Sequence, residues 1–478
     1  MLIKQNLINK EIFKYGSIFF KDKNKYKIPS FLHQFWTVCE VNNSIFYIHP
    51  DEVFKTIKYS EFTVVIVGEI FVAHSALNLY EIIKEFLLTK NWGVIDFLSG
   101  RFNIYVLGES NYVFIDPIGS KTLYYNSGDF DISCNHALLL ATILNMDLSP
   151  TSLGYKKSKE YNLKGTKFLP GDITMFDGIF GLSPNNYLDF NYKKIVRFYD
   201  FSSIRRTELN ELRVSVFEYY KNFCEFLNKR KFKPVVGLTA GVDTRLVISA
   251  FLFFDVDFEL VTWSRGVSND EMTLIKDISN YLNKKHYYID TQAKEEDTLY
   301  DDLKYLSNYN TSFSRGNCSL TVKFKKQFNG SDNYLFVRGL GGEIIRGMFN
   351  KKKSKSKLND LDYSVSIYNT HSLNKIEKSA EYDYHTKKYI EDYLVRSNID
   401  KLKDCDIGDV IYWEQRMGRW AAELHNENDP AIKNFTGLNS RLIYNIAFGL
   451  PDDIRFTRDL LIDLASLFDK KLAKFQYI

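Results

Sequence analysis

The segment KPVVGLTAGVDTRLVIS, residues 233–249, is the most informative part of the chain for its fold. Residues 234–238 are apolar and predict a short buried strand, and a helical pattern resumes at Asp243. The turn between them contains small residues, two threonines, a carboxylate and an arginine. A strand that leads through such a turn into a helix predicts an anion site, because backbone N–H groups and the helix dipole point at the ligand.

Each residue type in this turn has a use at a phosphate site. Ala240 and Gly241 allow the backbone to come close to a ligand, and the two threonines can donate hydroxyl hydrogen bonds. Asp243 can hold Mg²⁺, which neutralises a polyphosphate. The guanidinium of Arg245 can bind phosphate or pair inside the protein. The residues predicted to bind the nucleotide in this turn are Leu238, Thr239, Ala240, Gly241, Asp243, Thr244 and Arg245.

The first turn alone is also typical of an ordinary strand–helix connection, and it is no Walker A loop. A second glycine-rich turn adds support for the anion site. The sequence FVRGLGGEIIRGMF, residues 336–349, ends another predicted strand with three glycines and then places Glu343. Neighbouring parallel strands end at the same edge of a sheet, so we expect Asp243 and Glu343 to lie close together. Two carboxylates across a pocket lined by Gly339 and Gly341 predict a site for Mg²⁺ and a triphosphate.

The first part of the chain, residues 1–204, has the pattern of a β-rich domain. Short β-like runs such as 62–73 and 172–182 are separated by turn residues, and one clear helix at 78–90 interrupts them. We therefore predict an α+β sandwich for this domain.

The second part, residues 205–478, alternates between the two periods. A long amphipathic helix at 208–230 precedes the opening strand, and a helix at 269–283 has Asn269 or Asp270 as its predicted cap. Further strands are predicted at 258–264, 285–290 and 333–342, and residues 365–478 are mostly helical. Strands that alternate with helices predict a parallel, doubly wound α/β sheet, here with a helical C-terminal part.

Composition excludes several other classes of protein. The 478 residues are 45% hydrophobic and carry a net charge of +4, which is too balanced to indicate a nucleic-acid partner. The run KKKSKSK, residues 351–357, is interpreted as a solvated loop, with an anion clamp as the alternative. Five scattered cysteines favour neither disulfides nor a zinc site. Without a signal peptide or a membrane span, the sequence predicts a cytoplasmic protein.

Several segments, in order, resemble the asparagine synthetase family. LTAGVDTR (238–245) looks like its pyrophosphatase loop, usually S-G-G-x-D-S, and GLGGEIIRG (339–347) resembles G-x-G-A-D-E-x-F-G-G. The segment 261–289 is similar to the family's adenine-side segment, which implies that Trp263 and Ser264 contact the nucleotide. FTGLNSRLIYNIAFGLP (435–451) resembles the family's P-F-L-D-x-R stretch.

The N-terminal half resembles the family's glutaminase domain. GEIFVAHSALNLYEIIKEFL (68–87) and DPIGSKTLYY (116–125) carry this likeness. The resemblance implies an N-terminal Ntn-hydrolase-like sandwich at 1–204, followed at 205–478 by an ATP-pyrophosphatase domain of the adenine nucleotide α-hydrolase type.

The glutaminase chemistry of the family is absent from this sequence. The family uses an N-terminal cysteine whose amine is the base, whereas here Leu2 follows Met1 and the nearest cysteine is Cys39. The family's oxyanion asparagine corresponds to Val72, and the aspartate that holds the glutamine amine corresponds to Ser99. We therefore expect an N-terminal domain that does not hydrolyse glutamine.

The synthetase residues are altered but keep their chemical types. Thr244 retains a hydroxyl and Glu343 retains a hard oxygen ligand, while Leu340 removes a carboxylate from the second motif. The lysine of the family's K-x-x-L-R helix corresponds to Arg458, which can stabilise charge on phosphorus. Lys474 is a further candidate cation near the C-terminus.

The cluster YWEQRMGRWAAELHNEND, residues 412–429, has two interpretations. Trp413 and Trp420 can simply pack in the core, or Glu414 and Arg416 can line the acceptor pocket.

Together these features predict an ATP-dependent ligase that uses ATP and Mg²⁺. It would activate a carboxylate as an acyl-adenylate and transfer it to ammonia or an amine, without glutamine hydrolysis. The predicted catalytic residues are Asp243, Glu343, Arg458, Glu414 and Lys474, with Asp243 and Glu343 at the metal. The expected partners are a small-molecule or peptide carboxylate and an amine, with no nucleic acid or membrane. The sequence is also compatible with a homodimer. The alternative is a catalytically inactive relative that binds nucleotide or a protein partner. The altered residues of the synthetase motifs argue against asparagine as the product.

Overall fold

The first part of the chain folds into two six-stranded antiparallel sheets. The structure, a computed structural model, describes residues 13–164, 166–264, 267–291, 298–311, 318–328, 333–347, 360–369, 384–402 and 406–475. The strands are β1 (Ser17–Phe20), β2 (Thr37–Val41), β3 (Ser44–Ile48), β4 (Phe54–Lys58), β5 (Phe62–Val72), β6 (Leu98–Gly108), β7 (Tyr112–Ile115), β8 (Tyr124–Asn126), β9 (Ile132–Cys134), β10 (Ile179–Gly181), β11 (Asn186–Asp189) and β12 (Lys194–Arg197). The strand orders are β10-β8-β9-β1-β3-β2 and β12-β11-β7-β6-β5-β4.

The two sheets pack face to face around an apolar core. Phe19 and Phe46 of the first sheet meet Val65 and Tyr105 of the second in this core. The central strands β5 and β6 pair along their whole length, which fixes which side of each residue faces inward. The predicted α+β sandwich is therefore present, and its Ntn-hydrolase relationship stays a prediction.

Helices cover the outer faces of both sheets. The predicted helix at 78–90 is confirmed as α2 (Leu79–Thr89), which starts with a capping box between Asn78 and Glu81. Short helices that the sequence did not single out also form. They are α1 (Ser30–Phe35), α3 (Ala137–Ile143), α4 (Pro150–Lys157), α5 (Lys159–Leu163) and a 3₁₀ turn at Trp92–Phe97. Of the strand predicted at 172–182, only β10 forms.

The second part of the chain contains a five-stranded parallel sheet. Its strands are β13 (Lys233–Gly237), β14 (Glu259–Trp263), β15 (His286–Ile289), β16 (Tyr334–Arg338) and β17 (Lys433–Thr436), in the order β15-β14-β13-β16-β17. The first four were predicted from the sequence. The edge strand β17 was not, because Phe435 is its only large apolar residue and it lies inside a helical region.

Helices lie on both faces of the parallel sheet. The described α-helices of the second part are α6 (Leu209–Lys229), α7 (Val242–Phe253), α8 (Asn269–Leu282), α9 (Thr298–Tyr309), α10 (Cys318–Phe328), α11 (Gly342–Ile345), α12 (Asp360–Tyr368), α13 (Tyr384–Arg396), α14 (Ile407–Ile411), α15 (Ala422–Asn428), α16 (Arg441–Phe448), α17 (Asp452–Arg455), α18 (Asp459–Ser466) and α19 (Lys470–Ala473). The α6–α8 face and the α10 face have separate apolar cores. The cap of α8 is Ser268, which forms a capping box with Glu271, so the predicted caps Asn269 and Asp270 lie inside the helix.

One helical segment has an uncommon geometry. Residues Tyr412–Ala421, between α14 and α15, form a π-helix, whereas π-helical turns usually occur singly and often at functional sites. This is the cluster whose role the sequence left open.

Within the described ranges, no helix is long and apolar enough to cross a membrane. The division at residue 204 stays a prediction, and the loop predicted at 351–357 lies outside the described residues, as do Met1 and Leu2.

Candidate functional site

The candidate site lies where the parallel sheet changes its direction of winding. From the central strand β13 the chain adds β14 and β15 on one side, and it then adds β16 and β17 on the other. The carboxyl ends of β13 and β16 therefore adjoin a crevice, and ligands of doubly wound sheets bind at such a position. Both glycine-rich turns identified in the sequence leave the sheet there, into α7 and α11.

The first turn has the geometry of an anion-binding loop. Gly241 is the N-cap of the twelve-residue helix α7, and no side chain of the described residues caps that end. Thr239 Oγ1 accepts the N–H of Gly241 at 3.1 Å and lies 3.2 Å from Thr244 Oγ1, so both hydroxyls are on one side of the turn. Leu238 is fixed in the sheet, where its N–H donates to the carbonyl of Val261 at 2.8 Å. The free end of α7 favours a negatively charged ligand.

The second turn is pressed against the first. A Cβ atom at Gly339 would lie 2.7 Å from the backbone N of Thr244, so only glycine permits this approach. Gly341 has φ of +104°, a conformation that other residues rarely adopt. Its N–H donates to Glu343 Oε2 at 3.3 Å. The turn thereby sets Glu343 beside the start of α7.

The two carboxylates face each other across this contact. Asp243 lies against Gly342, and its buried Oδ1 has no hydrogen-bond partner among the described residues. Its Oδ2 lies 3.6 Å from Arg346 Nη2. Burial, followed by the charge of Glu343, raises the pKa of Asp243 to about 8. A cation bound to Oδ1 would offset both the burial of Asp243 and its repulsion from Glu343. Asp243 and Glu343 therefore fit Mg²⁺ as ligands.

Several cations and a tyrosine surround the carboxylates. The charges of Arg346 and Arg458 lower the pKa of Asp243, which places both arginines near it. Burial raises the pKa of Tyr412 well above its ordinary value, with Glu343 as the next cause, and Arg416 opposes the shift. Sequence reasoning missed Arg346 and Tyr412. The sequence signal for Arg346 was its charge, because the resembled motif has a phenylalanine at this position.

A cleft of about 190 Å³ opens beside the anion loop, between the ends of β13 and β14 and the start of α8. Its lining residues are Leu238, Thr239, Ala240, Thr262, Trp263, Val267, Glu271 and Ile275. Trp263 therefore adjoins the loop as the sequence predicted. Ser264 does not line the cleft, and its hydroxyl donates to Asp290 Oδ1 at 3.0 Å.

Two predicted site residues have other roles. Arg245 is 1% exposed, and its Nη1 donates to the carbonyls of Ala473 and Phe475 at 3.1 and 2.7 Å. Of its two interpretations, internal pairing is therefore correct and the phosphate role is wrong. The helix position turns its side chain toward the core, away from the free end of α7.

Glu414 does not line an acceptor pocket. It is fully buried and accepts from Arg197 Nη1 and Nη2 at 2.7 and 2.8 Å, from Tyr393 Oη at 2.6 Å and from Asn185 Nδ2 at 3.1 Å. Trp413 is also buried and donates to the carbonyl of Pro117 at 2.7 Å. These contacts join the π-helix to the antiparallel sheets, so the core-packing interpretation holds for Trp413.

The remaining predicted cation is peripheral. Lys474 is exposed at the end of α19, and no contact among the described residues joins it to either carboxylate. Arg458 is also exposed but lies close enough to act on Asp243.

Comparisons with known proteins add little to this geometry. No protein-family model matches the chain, and no curated protein matches it. Among solved structures, it is similar to NMN synthetase from Francisella tularensis, at 12% identity over 55% of this chain and 94% of that chain, with a TM-score of 0.21. It is also similar to glutamine-dependent NAD⁺ synthetase from Acinetobacter baumannii in complex with ADP, at 10% identity over 57% and 65%, with a TM-score of 0.22. The asparagine synthetase relationship stays a prediction from the sequence.

Proposed function

We propose that the chain is an ATP-dependent ligase that forms an amide bond through an acyl-adenylate. The observation that carries the proposal is the pair Asp243 and Glu343 at the start of α7, where Asp243 Oδ1 is buried without a hydrogen-bond partner in the described part of the chain. A triphosphate and a divalent cation are the ligands that satisfy a helix N-terminus and two carboxylates together.

The proposed reaction proceeds in two balanced steps. An oxygen of the substrate carboxylate attacks the α-phosphorus of ATP, the bond to the β-phosphate oxygen breaks, and pyrophosphate leaves. An amine nitrogen then attacks the acyl carbon, AMP leaves with the electron pair of the C–O bond, and the amine loses a proton. Thr239, Thr244 and the N–H groups of α7 would hold the pyrophosphate, and Trp263 would adjoin the nucleoside. Mg²⁺ would supply charge neutralisation.

The nitrogen source in this proposal is ammonia or a substrate amine. At the positions of the family's glutaminase residues, Val72 is apolar, and the hydroxyl of Ser99 is buried and donates to the carbonyl of Asn439 at 2.6 Å. Neither residue is available to hold glutamine. The acid and the amine are therefore both to be found among small molecules or peptides.

Calorimetric titration of Mg·ATP into the wild type and Asp243→Asn tests the proposal. We expect magnesium-dependent binding that the variant loses by at least about tenfold, since one charge-assisted contact is worth that much. Arg213→Met is a matched control, because it removes a charge that pairs with Asp463 on the surface. Binding should then be followed by release of pyrophosphate with a panel of acids and amines. A folded wild type that binds no ATP, with or without acids, would contradict the ligase.

One observation favours a second candidate, a nucleotide-binding relative without turnover. Arg346 Nη2 lies 3.6 Å from Asp243 Oδ2 and can neutralise the carboxylate in place of a metal ion. The same titration separates the two functions. ATP binding that is independent of Mg²⁺ and unaccompanied by pyrophosphate release would favour the second candidate, whereas an absolute magnesium requirement supports the ligase.

A further inference from the structure

The short helix α11, which begins with Gly342 and Glu343, is held at its carboxyl end by Arg455. The Nε of Arg455 donates to the carbonyl of Ile345 at 3.0 Å, and its Nη2 donates to the carbonyl of Ile344 at 3.1 Å. The last carbonyls of a helix lack partners in the helix itself. A side chain from another part of the chain therefore fixes the end of α11, one and two residues after Glu343.

Asp409 fixes the guanidinium of Arg455 in this position. Its Oδ2 and Oδ1 accept from Nη1 and Nη2 of Arg455 at 2.7 and 2.8 Å, and both side chains are buried. A bidentate pair of this kind sets the direction and the plane of a guanidinium. Asp409 lies on α14 and Arg455 ends α17, so the contact joins α11 to two helices that are distant in sequence. All three nitrogens of Arg455 are engaged in these contacts.

Glu343 needs support from outside α11, because the group across the site is another carboxylate. A Cβ atom at Gly342 would collide with Asp243 Oδ1, so α11 and the start of α7 touch at this point. Two carboxylates brought together in this way repel each other. A helix of four residues has too few hydrogen bonds of its own to resist that repulsion. The contacts at the end of α11 therefore decide whether Glu343 stays beside Asp243.

We propose that Arg455 is a positioning residue, which holds the carbonyl end of α11 and thereby keeps Glu343 beside Asp243 in the geometry that a divalent cation requires. This inference rests on the proposed ligase function, because that function assigns Mg²⁺ to the two carboxylates. Arg455 acts through the backbone of α11 and contacts neither the ion nor the substrates. Groups that orient metal ligands in this way typically change metal affinity by about 10–100-fold when they are replaced.

Three possible roles of Arg455 have different effects on Mg²⁺ affinity. If Arg455 only stabilises the fold, its replacement leaves the affinity of the folded protein unchanged. If it acts as a nearby positive charge, its removal strengthens the binding of a cation. If it positions Glu343, its replacement weakens that binding. Arg455→Lys is the most informative variant, because it keeps the charge and loses the planar fork of donors.

The test is titration of Mg²⁺ alone, at pH 9, into the wild type, Arg455→Lys, Arg455→Met and Arg101→Lys, followed by calorimetry and by the rise in Tm. Arg101 is the matched control. It is similarly buried, it binds both oxygens of one carboxylate, that of Asp429, and its Nε donates to the carbonyl of Ser120 at 3.0 Å. We expect both Arg455 variants to bind Mg²⁺ at least about tenfold more weakly than the wild type. Arg101→Lys should lose stability, while its Mg²⁺ affinity stays within about twofold.

A local measurement and a second variant separate positioning from a general loss of structure. Hydrogen exchange of residues 342–347 should be faster in Arg455→Lys than in the wild type or Arg101→Lys, because the end of α11 is released. Asp409→Glu keeps both charges and displaces the fork by one methylene group. It should also weaken Mg²⁺ binding, and it applies the same test if Arg455→Lys does not fold.

The outcomes separate this inference from the proposed function. Unchanged Mg²⁺ affinity in folded Arg455→Lys overturns the inference and leaves the ligase standing, as does stronger binding in Arg455→Met or an equal loss in Arg101→Lys. Weaker binding in Arg455→Lys alone supports positioning, even if the wild type releases no pyrophosphate with any acid and amine, a result that would refute only the ligase. A wild type that binds no Mg²⁺ overturns both.

Discussion

Two regions of this protein each bury a carboxylate oxygen, and they differ in whether that oxygen has a hydrogen-bond partner among the described residues. Where the antiparallel sheets meet the second part of the chain, Arg101 donates to both carboxylate oxygens of Asp429 at 2.5 and 2.6 Å. At the carboxyl edge of the parallel sheet, Asp243 Oδ1 is buried without a hydrogen-bond partner among the described residues. An unpartnered buried polar atom lowers stability, so Asp243 Oδ1 indicates where a ligand completes the structure.

The satisfied region also shows what became of the segment that resembles a glutaminase. Asp116, the first residue of its D-P-x-G stretch, accepts from the N–H groups of Ser120 and Lys121 and from Asn439 Nδ2 at 2.9 Å. Asn439 belongs to the second part of the chain, and it also accepts from the N–H of Ile118 at 3.1 Å. Residues of the resembled motif therefore hold the two parts together.

The largest effect is expected at the satisfied contact. Arg101→Met leaves Asp429 buried without its charged partner, and removal of one member of a buried pair costs about 3–5 kcal/mol of unfolding free energy. Urea denaturation of the ligand-free protein measures this loss. The matched control is Arg213→Met, since Arg213 and Asp463 are about one third exposed; it should cost less than about 1 kcal/mol. Equal losses in the two variants would mean that burial does not distinguish these contacts.

At Asp243, a substitution should raise the unfolding free energy instead of lowering it. The pKa of Asp243 is raised from 3.8 to about 8, so its contribution to stability is fully present below 3.8 and is lost as the pH rises through 8. Asp243→Asn, which keeps the uncharged form, should gain stability relative to the wild type by on the order of 4 kcal/mol between pH 5 and pH 9.

Thermal and urea unfolding of both proteins between pH 5 and pH 9, without ligand, provide the measurement. Mg²⁺ should raise the stability of the wild type at pH 9 more than that of Asp243→Asn, because the variant keeps only Glu343 as a carboxylate ligand. Parallel pH profiles for the two proteins would show that Asp243 is charged at little cost.

The same contrast explains how far the sequence could lead. Apolar periodicity was enough to find α2, α6 and the first four parallel strands, because each buries a continuous face. It could not find β17, whose burial comes from neighbours distant in sequence, or the π-helix, whose hydrogen-bond pattern has no sequence period. At the site, strand-end logic placed Asp243 beside Glu343, whereas the direction of Arg245 depended on helix rotation and contacts with residues 473 and 475.

A substitution at Glu414 distinguishes the acceptor-pocket role suggested by the sequence from the structural role observed in the fold. The sequence suggested an acceptor pocket, but the carboxylate pairs with Arg197 and accepts from Tyr393. Glu414→Gln keeps the shape and loses the charge, so we expect a loss of about 1–3 kcal/mol in unfolding free energy. Affinity for Mg·ATP, measured by calorimetry, should stay within about twofold, a change of under 0.5 kcal/mol. A stable variant that releases no pyrophosphate would instead restore Glu414 to the active site.

The smallest effect is expected for a satisfied polar group that lies next to the cleft. Ser268 Oγ accepts the N–H of Glu271 at 3.2 Å and starts α8, while Glu271 lines the cleft beside Thr239. Ser268→Ala removes the cap and should cost about 1 kcal/mol of unfolding free energy, with Ser268→Gly costing only a few tenths. Because its partners are internal, nucleotide affinity should not change in either variant. Ser268→Ala could instead weaken Mg·ATP binding more than it weakens the fold. A residue whose hydrogen bonds are all internal would then also contribute to ligand binding, and the presence of internal partners would not distinguish structural residues from binding residues in this molecule.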